Sequence, residues 1–422
     1  MRRQVRLALF FPLLCASLGS PLFGQFQQYT APGSLAGEIP DRRAQLEKAL
    51  KESRWHLGPI RVDPWIALRE LSYVRDDRGE ARTSDITATI GAGVRFVMPA
   101  GGKSTFAGHI LPQYVWWRER SEARTFDGRY GLGWFFFSHR LKVDATASDD
   151  KLFDYVTSQV ARRTEGHSRR VALDVEVPVT RRFAVYGRAS QTEFTATGES
   201  NVDFLDLDRK EGVAGGGIRW RSGERFLLGL GASRSKADFA GEARDRSNSG
   251  RAVNAELAYS RRKFQVSIGA GRYDLDAESG SEFGSFRGTA GTARVAWRPR
   301  EKFGWSVYGY RQLVYTVDSA NPYFLDQRLG TAIDLGLGHR LRANLFYESG
   351  QHRFAAGVGA PGRSDDASAW GGGLDFQVGR GFRLNVAARR TTVDAPLGEA
   401  QKTWDVHTGL IFSGSGGDNA WF

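Results

Sequence analysis

An all-β, transmembrane, antiparallel up-and-down barrel is predicted by three features of the 422-residue chain. Apolar and polar residues alternate in stretches of about ten with no sustained helical period, the pattern of strands wetted on one face. The connections between those stretches are alternately tight and long. The polar face is crowded with charge and glycine rather than with the large side chains of a soluble core. Short turns at one end and long loops at the other are how outer-membrane barrels are built, and about 18 strands can be counted.

Taken from the N-terminus, Arg2, Arg3 and Arg6 precede the apolar run Leu7 to Leu18 and a breaker-rich stretch ending at Gly24, the organisation of a secretory signal peptide over residues 1–24. Cys15, the sole cysteine, falls inside it, so disulfides and thiolate chemistry are not expected in the mature chain. Residues 25–56 are read as a periplasmic N-terminal segment. Within it, Asp41 to Trp55 is rich in strong helix formers and predicts one short helix, whose Leu46 and Leu50 lie four apart.

Residues 57–412 are read as the barrel and 413–422 as a glycine-rich tail. The first strand, Ile60 to Arg75, is interrupted by Pro64, whereas Ile86-Ala88-Ile90-Ala92-Val94-Phe96-Met98 alternates cleanly. The same period runs through Val171 to Val177, Phe226 to Leu230, Phe264 to Ile268, Ile333 to Leu337, Leu341 to Tyr347, Leu374 to Val378, Phe382 to Val386 and Trp404 to Phe412. Tight connections are expected near Ser138, Pro178, Arg221, Arg261, Pro299, Gly338 and Gly379. Long ones are expected at Asp150 to His167, Thr195 to Lys210, Phe239 to Ser249, Asp276 to Gly284, Asp318 to Asp326, Gln351 to Ala367 and Thr391 to Gln401. Tyr114, Trp116, Trp134, Trp220, Trp297, Trp305, Tyr308 and Trp404 lie near strand ends, where interfacial girdles are expected.

Placing the apolar phase against lipid assigns the other phase to the lumen. The pore-lining candidates are Arg95, Lys142, Asp144, Asp174, Glu176, Arg188, Arg219, Glu256, Arg294, Asp334, Arg342, Asp375, Arg383, Arg389 and Asp405, eight bases and seven acids. In a water-filled pore such groups stay hydrated and set a transverse field; in a narrow barrel they are structural ion pairs.

Enzymatic chemistry finds little footing. The seven histidines are scattered without metal-ligand spacing, and the glycine runs Gly215 to Gly217 and Gly371 to Gly373 are followed by neither a Lys-Ser/Thr pair nor a helix. No catalytic residue, metal or cofactor is assigned. The net charge of +12 would suit a nucleic-acid binder, but the export signal argues against that partner. The basic excess instead points to outer-membrane lipid and lipopolysaccharide, with the bacterial outer membrane as the expected location.

The segment Leu57-Gly58-Pro59-Ile60-Arg61-Val62-Asp63-Pro64, followed by alternating strands and long Arg/Asp/Ser loops, resembles the second β-barrel porin family, whose members include barrels associated with exopolysaccharide or capsule export. The likeness spans most of Leu57 to Phe412. Two departures stand out: Arg69 to Asp77 replaces the Gly-Tyr-Asp-Asp-Asn-like run of the family, and a tail follows the terminal strand Gly409-Leu410-Ile411-Phe412. The pattern itself predicts a porin-like channel; the resemblance adds an anionic polysaccharide as export cargo and the barrel-assembly machinery as partner. A structural or adhesive barrel and a barrel-embedded hydrolase or acyltransferase remain open alternatives at this level.

Overall fold

A computed structural model describes residues 29–37, 42–53 and 55–413, apart from 79–80, 156, 160–162, 198–206, 224, 241–245, 279–284, 318–320, 357–360, 380 and 395–399. The stretch read as a signal peptide, residues 1–24, and the tail from residue 414 therefore lie outside the described residues. A single-turn 3-10 helix, Ser34–Ala36, precedes helix α1, Arg42–Glu52, and a short strand β1, Trp55–Leu57. The wall then begins with β2 (Ile60–Arg78), β3 (Ala81–Ala100), β4 (Ser104–Trp117), β5 (Thr125–Phe137), β6 (Lys142–Tyr155) and β7 (Arg163–Pro178). It continues with β8 (Phe183–Thr197), β9 (Arg209–Ser222), β10 (Phe226–Phe239), β11 (Asn248–Arg261), β12 (Phe264–Ala277) and β13 (Phe286–Arg300). The last six are β14 (Phe303–Tyr315), β15 (Tyr323–Gly336), β16 (Leu341–Phe354), β17 (Ser364–Gln377), β18 (Phe382–Asp394) and β19 (Gln401–Ser413).

Each of these strands pairs antiparallel with its neighbour in sequence, and β19 pairs with β2, from Gln401 opposite Arg78 to Ser413 opposite Trp65. The 18 strands β2 to β19 thus close into a barrel, which removes the free edges an open sheet would expose. The strands run further than the alternation alone indicated. Several stretches read as long connections are ladder at both ends; in Gln351 to Ala367, for instance, β16 runs on to Phe354 and β17 begins at Ser364.

Two local features explain why β2 is hard to read. Pro64 lies one residue past the end of the β2–β19 ladder, where β3 is its wall partner and a missing N–H is tolerated. A bulge between Leu68 and Glu70 then leaves Arg69 outside both ladders and shifts the alternation by one.

The outward face carries exposed Ile66, Ile90, Leu132, Val171, Ile218, Leu230, Val253 and Leu374, as a lipid-facing wall requires. Aromatic pairs mark both margins. Trp220 and Phe226 (5.6 Å between centroids) and Tyr259 and Phe264 (6.3 Å) flank short turns, while Tyr114 and Phe126 (4.8 Å) and Trp370 and Trp404 (5.3 Å) sit toward the long-loop end. Tyr308 departs from the expected girdle. It is buried on the inward face, where its hydroxyl donates to Glu348 at 3.1 Å.

Glycine in the wall serves close approach. A Cβ on Gly217 would collide with the Leu230 carbonyl oxygen, so the run Gly215 to Gly217 belongs to a tightly paired ladder and not to a phosphate loop.

Candidate functional site

The lumen is built from the inward phase of every strand, and three further elements enter it. First comes the N-terminal segment. The sequence reading places residues 25–56 in the periplasm; of its described parts, residues 29–36 and α1 pack on the inner wall, while β1 pairs with the start of β2. Leu46 of α1 is buried against Val97, Ala107 and Phe135, inward side chains of β3, β4 and β5 near the short-turn end. The reason is apolar: Leu46, Ala49 and Leu50 form one stripe of the helix, and these wall residues give it a surface to cover.

Upstream of α1, residues 29–36 lie against β13 to β16. Gln312 donates to the Thr30 hydroxyl at 2.9 Å, the Gly33 N–H donates to Glu348 at 3.1 Å, and Arg294 donates to the Ala36 carbonyl at 3.0 Å. Gly33 adopts φ of 79°, and a Cβ there would lie 2.8 Å from the Phe346 ring, so the turn requires glycine on both counts.

The second element is the β6–β7 connection. Ser158 donates to Asp326 at 3.0 Å, and Gln159 accepts the Val317 N–H at 3.0 Å, which carries this loop across to β15 and the β14–β15 connection. The third is the tip of the β14–β15 hairpin. The β13–β14 ladder stops at Gly291 opposite Arg311, and beyond it Leu313, Tyr315 and Tyr323 pack with Phe239, Tyr273, Leu275 and Phe286 of β10, β12 and β13. Arg246 fixes this packing by donating to the Thr316 carbonyl at 2.6 Å.

Where the first two of these elements meet the wall, a cavity of about 20 Å³ remains, lined among others by Tyr29, Pro32, Tyr155, Ser158, Arg328 and Asp405. That is room for roughly one water.

The fifteen inward candidates all lie on the lumenal phase, but they divide by depth. Arg219 donates to Glu256 at 2.5 Å and to Glu176 at 3.0 Å. Glu176 also receives Lys142 at 2.9 Å and Arg221 at 2.7 Å, so one carboxylate ties β6 and β7 to β9. Arg219, Glu176 and Glu256 are buried, with the Arg219 guanidinium 4.3 Å from the Tyr186 ring centroid. Asp405, also buried, accepts from Arg389 at 3.0 Å and from Ser72 at 2.9 Å.

Other pairs keep contact with open space. Arg188 donates to Asp174 at 3.0 Å, with 49% of the Asp174 side chain exposed. Arg383 pairs with Asp375, and Arg95 pairs with Asp63 in a more enclosed setting. Asp334 and Arg342 are exposed near the short-turn end, Arg342 opposite Asp375 in the ladder. Asp144 lies opposite the inward Phe135, and Arg294 holds the N-terminal segment as described.

Sequence reasoning missed the most enclosed group. Arg328, 5% exposed, donates to Asp326 at 3.0 Å and to Glu348 at 3.0 Å and contacts His352 at 3.0 Å. The signal was present: Phe324, Asp326 and Arg328 alternate with Leu325, Gln327 and Leu329. Placing Asp326 at the end of the connection Asp318 to Asp326 hides that alternation.

Among the described residues, Glu70, Asp405 and His407 are the one grouping of three potential metal ligands, their ligand atoms within 4.8 Å of one another. The Arg389 guanidinium already supplies positive charge to Asp405 there.

A closed antiparallel wall, apolar and aromatic-edged outside and charged inside, defines a transmembrane β-barrel of the outer-membrane type. The fold is similar to that of Pseudomonas aeruginosa OccK9 (OpdG), with a TM-score of 0.51 and 11% identity over 84% of this chain and 98% of that one. OccK2 (OpdF) of the same organism gives 0.51 and 12% over the same shares, and the P. aeruginosa outer membrane protein OpdK gives 0.50 and 13% over 83% and 99%. No protein-family model matches the chain, and neither does any curated protein. The resemblance to the second β-barrel porin family thus rests only on the residues that suggested it.

Proposed function

We propose that the protein is a passive channel of the bacterial outer membrane for small water-soluble solutes, with its bore narrowed by its own N-terminal segment. The observation that carries this reading is the meeting of residues 29–36, the β6–β7 connection and the β14–β15 tip inside a wall of 18 strands. A barrel of that strand number encloses an aqueous channel unless something fills it. Here inner elements occupy part of the lumen and leave between them and the wall a cavity with room for about one water. An anionic polysaccharide, the cargo suggested by the sequence resemblance, would need a bore that a polymer can thread; a constriction of this kind favours small solutes.

Selectivity then belongs to charges that still meet water. Arg342 and Arg383 face the short-turn end with Asp334 and Asp375, whereas Arg219 and Arg328 are consumed in buried pairs. In planar bilayers the protein is expected to conduct, and changing both Arg342→Gln and Arg383→Gln should move the reversal potential toward cations. The shift should be larger at about 0.1 M salt, where the Debye length is about 10 Å, than at about 1 M, where it is about 3 Å. An unchanged reversal potential at low salt would remove these residues from the pathway; absence of conductance would favour a structural barrel.

A further inference from the structure

On the outward face, one sector of the wall differs from its neighbours. Along the long-loop ends of β10 to β13, Arg234 lies directly opposite Arg251, Arg251 opposite Asp274, and Asp274 opposite Arg287; Arg272 stands one outward position below Asp274 on β12. All four guanidinium side chains are exposed. Asp274 accepts from Arg251 at 3.3 Å and from Arg287 at 2.9 Å, while Arg234 and Arg272 have no ion pair among the described residues. Four arginines thus flank Asp274, with Asp276 one outward position above it on β12. Like charges directly opposite each other destabilise a ladder.

The preceding sector shows that the wall has another solution. There the row Asp149, Arg169, Glu193, Lys210, Asp238 alternates in sign across β6 to β10. Its charges match partner to partner. The β10–β13 row carries three arginines to one aspartate, a local surplus of positive charge.

Height along the strand locates that surplus. On β13, Trp297 and Arg287 both face outward, ten residues apart. At about 3.4 Å per residue and a tilt near 40°, Arg287 stands about 26 Å above the Trp297 girdle. The apolar band of such barrels is about 25 Å tall, so the arginines stand where it ends, on the long-loop, external side. A groove of about 520 Å³ runs beside them, with Arg234, Arg251, Arg272 and Asp274 above Ala232 and Val253. Its floor is apolar and its rim cationic.

We propose that this groove is a binding site for the phosphorylated headgroup of an outer-leaflet lipopolysaccharide. Arg234, Arg251, Arg272 and Arg287 hold the phosphates, and an acyl chain lies along Ala232 and Val253. Arginine suits the task because its planar fork pairs with phosphate oxygens bidentately. The site lies on the lipid side of the wall and does not depend on whether the bore conducts.

The test uses the purified full-length mature barrel in detergent, titrated with lipid A bearing two phosphates and, separately, with dephosphorylated lipid A and with inorganic phosphate. Binding is read by native mass spectrometry and by the rise in thermal midpoint. The expected result is retention of lipid A by the wild type and a loss of about tenfold or more in affinity in the Arg234→Gln/Arg272→Gln double variant. An Arg169→Gln change in the sign-alternating sector should leave binding unaltered. The different mobility of folded and boiled protein on a gel shows that each variant is closed. Equal binding of dephosphorylated lipid, equal binding by the double variant, or full competition by millimolar inorganic phosphate would overturn the proposal.

Discussion

Two groups of inward charges use the same residue types for different ends. On β15 and β16, Arg328, Asp326, Glu348 and His352 are all within a few per cent of full burial and lie beneath the N-terminal segment and the β6–β7 connection. On β7 and β8, Arg188 pairs with Asp174, whose side chain is half exposed to the bore. Both groups follow the period-two rule, so alternation marks the face. Depth decides the role: a charge covered by an inner element is part of the scaffold, and one left uncovered can act on a passing ion.

The largest effect is expected at the covered group. Replacing Glu348 by Ala removes an acceptor for Arg328, for Tyr308 and for the Gly33 N–H, and breaking a buried pair in this way costs about 3 to 5 kcal/mol. Thermal unfolding of the detergent-solubilised barrel should show this; a loss below about 1 kcal/mol would mean that the cluster is solvated and the contrast with β7–β8 is false.

A second substitution sharpens the contrast from the other side of the wall. Leu230 faces outward between Ile218 and Ala255, within the apolar band. Leu230→Arg is expected to cost about 2 to 4 kcal/mol if that position lies near the bilayer midplane. Tolerance there, measured by folding in lipid vesicles, would reverse the assignment of faces.

Smaller effects come from the seat of the segment and from the open pair. Gly33→Ala imposes a left-handed conformation and a clash with Phe346 at a cost of about 1 kcal/mol, and should loosen residues 29–36 more than the wall. Limited proteolysis within residues 29–37 should therefore quicken while the barrel band stays intact. Arg188→Gln removes an ion pair whose Asp174 partner is half exposed and should change stability by less than about 1 kcal/mol, the smallest shift of the four.

The wall was legible in the sequence because each of its strands answers to one local rule. Ile86 to Met98 on β3 alternates without a break, and the tight turns at Ser138, Pro178 and Gly338 recur where they were expected. β2 was harder to read, since the bulge at Arg69 interrupts the alternation that the rule needs. The interior was not legible, for a different reason. Leu46 meets Phe135, and Gly33 meets Glu348, across separations that no local period encodes. The lean of Tyr315 against Phe239, at 4.8 Å between centroids, likewise reverses the side on which alternation alone would place it.

The most direct test of a bore narrowed from within is single-channel conductance in planar bilayers, comparing the intact mature chain with a variant lacking residues 29–52, with Gly33→Ala as a milder companion. The wall strands begin at Ile60, so the deletion leaves every ladder in place, and folding can be checked by the heat-dependent gel mobility of the barrel. The account predicts small steps for the intact protein, clearly larger steps for the deletion and intermediate or flickering steps for Gly33→Ala. Equal conductance in all three folded proteins would show that the N-terminal segment does not limit the bore, and would contradict the account.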